Sequence, residues 1–194
     1  MSEGLSRNKF KTIDLAYIAV GAVLIAVCSW ISIPTTVPFT LQTFAVFCLL
    51  GILGGKRGTI SIIIYILLGA IGVPVFAGFA GGFGVIIGTT GGYIVGFIFV
   101  GLIYWLAEIL FKDSMRSNSM KVKNLLVRAA VMAVGLIICY AFGTAWFMVA
   151  YARSSGVVGL LTALGWCVFP FIVPDILKLI LALLISARVR RYLK

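Results

Sequence analysis

Apolar residues fall into six long runs, separated by short segments rich in Gly, Pro or basic side chains. The runs predict helices at about 15–33, 41–54, 58–72, 89–111, 125–151 and 165–187. A helix that crosses a bilayer needs about 20 apolar residues. The second and third runs fall short of that, so they are tilted, incomplete or shielded by other parts of the protein. No linker, shift of composition or solenoid repeat interrupts the pattern, and residues 1–194 read as a single membrane-embedded domain. The expected fold class is all-α, an integral membrane protein with six transmembrane helices.

Composition strengthens that reading. The chain is 62% hydrophobic and only 11% charged, with a mean hydropathy of +1.20; a soluble domain carries roughly 25% charged residues. The net charge of +11 would suit nucleic acid, but its distribution excludes that partner. Arg7, Lys9, Lys11, Lys56, Arg57, Lys112, Arg116, Lys121, Lys123, Arg128, Arg188, Arg190, Arg191 and Lys194 fall on one side of a six-span layout. The other side holds Arg153 alone, with Lys178 inside the membrane. Basic residues collect on the cytoplasmic face, so the N- and C-termini are expected in the cytoplasm, beside anionic membrane lipid. Trp30, Trp146 and Trp166 then lie near the outer boundary and Trp105 near the inner one. The first run lacks an A-x-A type cleavage site and reads as a retained helix, not a signal peptide.

Two charges change the picture. In Pro174-Asp175-Ile176-Leu177-Lys178 a carboxylate and an amine sit three residues apart, hence on one helix face, within otherwise hydrocarbon sequence. Ionisable groups at membrane depth cost about 2.5–3.5 kcal/mol on insertion scales, so they face a cavity, a partner or a ligand. Two readings stand: a polar ligand site, or an ion pair that staples helices together. Asp175 precedes Arg188 by roughly 20 Å of helix rise, which puts it in the outer half of the membrane.

Two of the outer loops are uncharged. Residues 33–43 carry Pro34, Pro38, Phe39 and Gln42, and residues 73–93 carry Phe76, Phe79, Gly91, Gly92 and Tyr93 among many glycines. Non-helical backbone at this depth persists only where it is buried or lines a cavity, so these loops are expected to fold over the helices as a lid. Ordinary helix packing is the alternative account of the glycines. Gly91-Gly92 at a helix start would also present N–H groups and a positive dipole end to an anion. Ala22 and Ala26, with Ala19 nearby, form a small-residue motif suited either to internal packing or to docking of another membrane subunit.

Enzyme chemistry finds no foothold. The chain has no His, and its acidic residues, Glu3, Asp14, Glu108, Asp113 and Asp175, form no catalytic dyad. Gly54-Gly55-Lys56-Arg57 is not a Walker A loop, and Gly82-Phe83-Gly84 lacks the third Gly of a dinucleotide loop. Cys28, Cys48, Cys139 and Cys167 lie in apolar runs without metal-ligand spacing. No catalytic residue, metal site or cofactor is assigned, and any coupling to ATP requires partner proteins.

Taken together, Pro38-Phe39-Thr40-Leu41-Gln42-Thr43, Gly69-Ala70-Ile71-Gly72-Val73-Pro74-Val75-Phe76, Gly91-Gly92-Tyr93 followed by Gly96-Phe97, and Pro174-Asp175-x-x-Lys178 resemble the BioY family over nearly the whole chain. That resemblance implies a biotin-binding S component of an energy-coupling factor transporter in the bacterial cytoplasmic membrane. It implies a transmembrane coupling protein (EcfT) and two cytoplasmic ATPase subunits as partners, and Ala22-x-x-x-Ala26 as the surface that meets the coupling protein. In the site it implies that Asp175 accepts from the ureido N–H groups of biotin, while Lys178 attracts the carboxylate or completes the polar network. Phe39, Phe76, Phe79 and Tyr93 would pack the rings and Gln42 would add a hydrogen bond. The chain departs from the family pattern at Thr89-Thr90 before Gly91-Gly92-Tyr93, where a Pro is usual. It departs again at Ala80 and Ile94, where some relatives carry Asn and Arg. An S component for another vitamin, or a structural membrane protein, are the alternatives.

Overall fold

The computed structural model of the protein describes residues 11–116, 122–190 and 192; Glu3, Arg7, Lys9, Lys121, Arg191 and Lys194 lie outside the described residues. The element order is α1 (Thr12–Trp30), the strand pair β1 (Ser32–Ile33) and β2 (Phe39–Thr40), α2 (Gln42–Ala70), a 3₁₀ turn at Ala77–Phe79, α3 (Phe83–Ile87), α4 (Gly91–Leu110), α5 (Lys112–Arg116), α6 (Val122–Ser155), α7 (Leu160–Cys167) and α8 (Phe169–Val189). Five segments are long and apolar enough to cross a membrane, α7 and α8 together forming one of them.

The sixth pass comes from α2, which folds back on itself. At Gly54 the backbone turns through φ 82°, ψ 173°, a conformation that glycine alone adopts cheaply. Gln42 and Tyr65 share a side-chain hydrogen bond, although a straight helix would hold them roughly 35 Å apart. The arms 42–53 and 55–70 are therefore antiparallel. The expected loop between the second and third helices shrinks to one residue, and Lys56 and Arg57 belong to the second arm. At roughly 18 and 24 Å the arms are short for a bilayer, and protein covers them: α2 is the most buried of the long apolar segments, at 56% against 28–50% for the others.

Polar contacts fix the direction of each pass. Asp14 at the start of α1 pairs with Arg57 just past the α2 turn at 2.6 Å. The Gly55 N–H donates to Glu108 near the end of α4 at 2.7 Å. Arg190, just past α8, lies 3.6 Å from the same carboxylate. These ends share one face, so the described chain makes six passes and returns to the face where α1 begins. On the opposite face, the Trp30 indole donates to the Pro74 carbonyl at 2.9 Å, and Trp146 to the Gly88 carbonyl at 3.1 Å.

The last expected helix, 165–187, is broken at Val168 (φ −126°, ψ −56°) into α7 and α8. Pro170 stands in the first turn of α8, and Pro174 removes one backbone donor just before Asp175. Leu102, Leu106 and Ile109 on α4 and Leu177, Ile180 and Leu184 on α8 face outward, a surface that lipid covers. Ala22 and Ala26, at 3% and 5% exposure, face inward instead. A Cβ added at the neighbouring Gly21 would meet Ser61 and Leu49, one from each arm of α2. The Ala22-x-x-x-Ala26 motif thus packs α1 inside the molecule, and Ala19 is the member left on the exterior.

Candidate functional site

Beneath the loops of the Trp30 face lies a cavity of about 200 Å³. Its polar wall is made by four elements. The hairpin and α2 supply Thr40, Gln42 and Thr43, α6 supplies Tyr140, and α8 supplies Asp175 and Lys178. Asp175 and Lys178 lie one turn apart on the inward face of α8, at 1% and 6% exposure.

Every atom of this pair has a partner. Lys178 Nζ donates to Asp175 Oδ1 at 2.8 Å, to the Thr40 carbonyl at 2.8 Å and to Thr43 Oγ1 at 3.2 Å. The Thr43 hydroxyl donates to Oδ1 at 2.9 Å, and the Tyr140 hydroxyl to Oδ2 at 2.5 Å. Three donors thus use all the hydrogens of the ammonium, whereas Oδ2 accepts one bond and keeps a lone pair. Beside them, the Gln42 side chain accepts from Thr40 Oγ1 at 3.1 Å and donates to the Tyr65 hydroxyl. Lys178 also stands 4.2 Å from the ring centre of Phe39, whose other neighbour is the stacked Phe171 at 5.7 Å. The β1–β2 hairpin is therefore held over the cavity by Lys178 through both the Thr40 carbonyl and a cation–π contact.

The rest of the wall is apolar or weakly polar. Phe76 reaches in from the 73–80 loop, buried edge-on against Tyr65 with ring centres 5.5 Å apart. That loop is pinned to α1, because the Ser29 hydroxyl donates to the Val75 carbonyl at 2.5 Å. Tyr93 lines the cavity from α4, its hydroxyl 2.9 Å from that of Thr144.

Of the residues expected at the site, Asp175, Lys178, Gln42, Tyr93 and Phe76 line this one cavity, and Phe39 stands behind Lys178. Phe79 does not join them. It is 63% exposed and stacks on Trp30 at 5.0 Å. Gly78 and Phe79 both have positive φ, 66° and 58°, which turns the second aromatic of the loop outward. Gly91 and Gly92 stand at the start of α4, where added Cβ atoms would overlap the Ile86 carbonyl and the Trp146 side chain; their smallness serves packing. Sequence reasoning did not single out Tyr140 or Thr43 for the site. The available signal was a hydroxyl within an apolar span, at position 140, and a second hydroxyl one residue past Gln42. Among the described residues, no group of three His, Cys, Asp or Glu could hold a metal ion.

The model of the BioY family matches residues 5–194, nearly the whole chain. The chain belongs to the BioY family. Among its relatives is the "Biotin transporter BioY" of Thermotoga maritima, 39% identical over 170 residues, covering 87% of this chain and 90% of the relative. Another is the "Probable biotin transporter BioY" of Pyrococcus horikoshii, 38% identical over 181 residues, covering 93% and 98%. The fold is similar to a solved S-component for biotin from an ECF-type ABC transporter, with a TM-score of 0.76 and 29% identity over 97% of this chain and 95% of that one. As a BioY family member with five long apolar segments, one of them folded into a hairpin, the chain is a multi-pass membrane protein.

Proposed function

We propose that this protein is the biotin-binding S component of an energy-coupling factor transporter, a transport protein and not an enzyme, in which residues 1–194 form one substrate-binding membrane domain. The observation that carries the reading is the Asp175–Lys178–Thr43–Tyr140 network, placed on the wall of a cavity in a BioY family chain. The ureido ring of biotin presents two N–H donors and a carbonyl, and the thiophane ring and chain are apolar. One ureido N–H donates to the free lone pair of Asp175 Oδ2, Gln42 adds a hydrogen bond, and Phe76 and Tyr93 enclose the ring. Because the Asp175 and Lys178 head groups are only 2.8 Å apart, a single ligand cannot give its ring to one and its distant carboxylate to the other. Lys178 accordingly completes the polar network and latches the hairpin. The staple reading is thereby absorbed: the pair holds the lid and reads the ligand together.

Partners follow from the same reading. The transmembrane coupling protein and two cytoplasmic ATPases supply the energy, and with Ala22 and Ala26 buried, the exposed face of α1 at Ala16, Ala19, Val20 and Val23 is the surface offered to the coupling protein. The test is calorimetric titration of the purified, ligand-stripped protein with biotin in detergent. Near-stoichiometric tight binding is the expected result, and no heat from a folded sample would overturn the assignment.

A further inference from the structure

The charge inventory of the cavity bears on which part of the ligand is recognised. Among the described residues, the lining carries two formal charges, Asp175 and Lys178, and these neutralise each other at 2.8 Å. The ammonium has no hydrogen left to offer, since its three donors engage Thr40, Thr43 and Asp175. The part of the lining contributed by residues 76–94 presents Phe76, Ala77, Ala80, Val85 and Ile94, with Thr90 and Tyr93 as its polar side chains. Arg153, the basic residue at the far end of α6, is exposed and is not part of the lining.

A carboxylate buried against such a wall would lose its hydration without gaining a cation. The cavity is also small, about 200 Å³, where ligand sites usually start at about 300 Å³. From these observations we infer that the site grips only the bicyclic head of its ligand, and that the acid group at the end of the side chain stays hydrated at the mouth and is not read by charge. The protein therefore accepts neutral tail derivatives, the amides and esters of biotin, about as well as the free acid. This inference rests on the biotin reading above.

Calorimetric titration of the full chain in detergent with biotin, biotinamide and biotin methyl ester tests it. The expected result is that the three dissociation constants agree within about tenfold and that none changes appreciably between low and high salt. Tight binding of biotin with both neutral derivatives more than 100-fold weaker would overturn the inference and leave the biotin assignment standing. Failure of all three ligands, with the protein still melting cooperatively, would overturn both. Binding of the derivatives unaffected by removal of the ureido carbonyl, measured with the ring-opened diamine of biotinamide, would show that the head is not what the site grips, and would also overturn the inference.

Discussion

The carboxylate of Asp175 is held by an ammonium and two hydroxyls, from α8, α2 and α6. Removing its charge leaves Lys178 buried beside neutral partners, and breaking a buried pair on one side costs about 3–5 kcal/mol. Asp175→Asn is therefore expected to abolish measurable biotin binding and to lower the melting temperature in detergent. Tyr140→Phe is the finer probe, because it deletes one donor to Oδ2 and keeps the ring. A hydrogen bond to a charged group contributes about 1.5–3 kcal/mol, and this one is made within the protein itself, so Tyr140→Phe should lower the melting temperature in detergent as well as weaken biotin binding. Unaltered affinity in Tyr140→Phe would remove that hydroxyl from the site. The difference between these residues also explains what the sequence made readable. Asp175 and Lys178 stand out because charge inside an apolar run is costly wherever the helix lies. Tyr140 and Thr43 cost little in a membrane helix, and only the fold brings them 35 and 132 positions along the chain to the same carboxylate.

At the level of elements, the α2 turn concentrates the chain's backbone constraint in one residue. Gly54 has φ 82°, and an added Cβ would stand 3.0 Å from the Glu108 carboxylate that holds the Gly55 N–H. A side chain at such a position costs about 1–3 kcal/mol. Gly54→Ala should lower thermal stability in detergent by that order while leaving biotin affinity intact, since the turn is on the face away from the cavity. The six apolar runs were legible because bilayer thickness imposes length and hydropathy. The turn was not, because a one-residue reversal has no loop composition of its own and Lys56 and Arg57 resemble a boundary. The short helices α3 and α7 were hidden for a related reason: each is set in Gly-rich sequence and takes its place from packing. Small residues proved ambiguous in the same way. Spacing finds a close-packed helix face, but it does not say whether the neighbour belongs to the same chain. Since Ala22 and Ala26 face α2, Ala22→Trp should prevent accumulation of folded protein in membranes, whereas Ala19→Trp, on the exterior, should fold and bind biotin yet fail to assemble with the coupling protein. Normal assembly of Ala19→Trp would exclude that face of α1 as the docking surface.

For the molecule as a whole, the geometry fixes which ends share a face, and charge decides which face is cytoplasmic. The face of the Asp14–Arg57 and Glu108–Arg190 pairs also carries Lys112 and Arg188, while the cavity face carries Arg153. In the proposed orientation, with the basic segments retained on the cytoplasmic side, the cavity mouth opens outside the cell. The native cysteines are all buried, so a new surface thiol can be detected above a low background. Ser155→Cys, at the exposed end of α6, should react with a membrane-impermeant maleimide in intact cells. Asp113→Cys, exposed on α5, should react only after the cells are permeabilised. The reverse pattern would mean that the cavity loads from the cytoplasm. In that orientation the chain would hold most of its positive charge against the positive outer side of an energised membrane, at about 2.3 kcal/mol per elementary charge moved across 100 mV. The same field favours the proposed orientation for each of those basic segments, so the labelling result should not depend on whether the coupling protein is present.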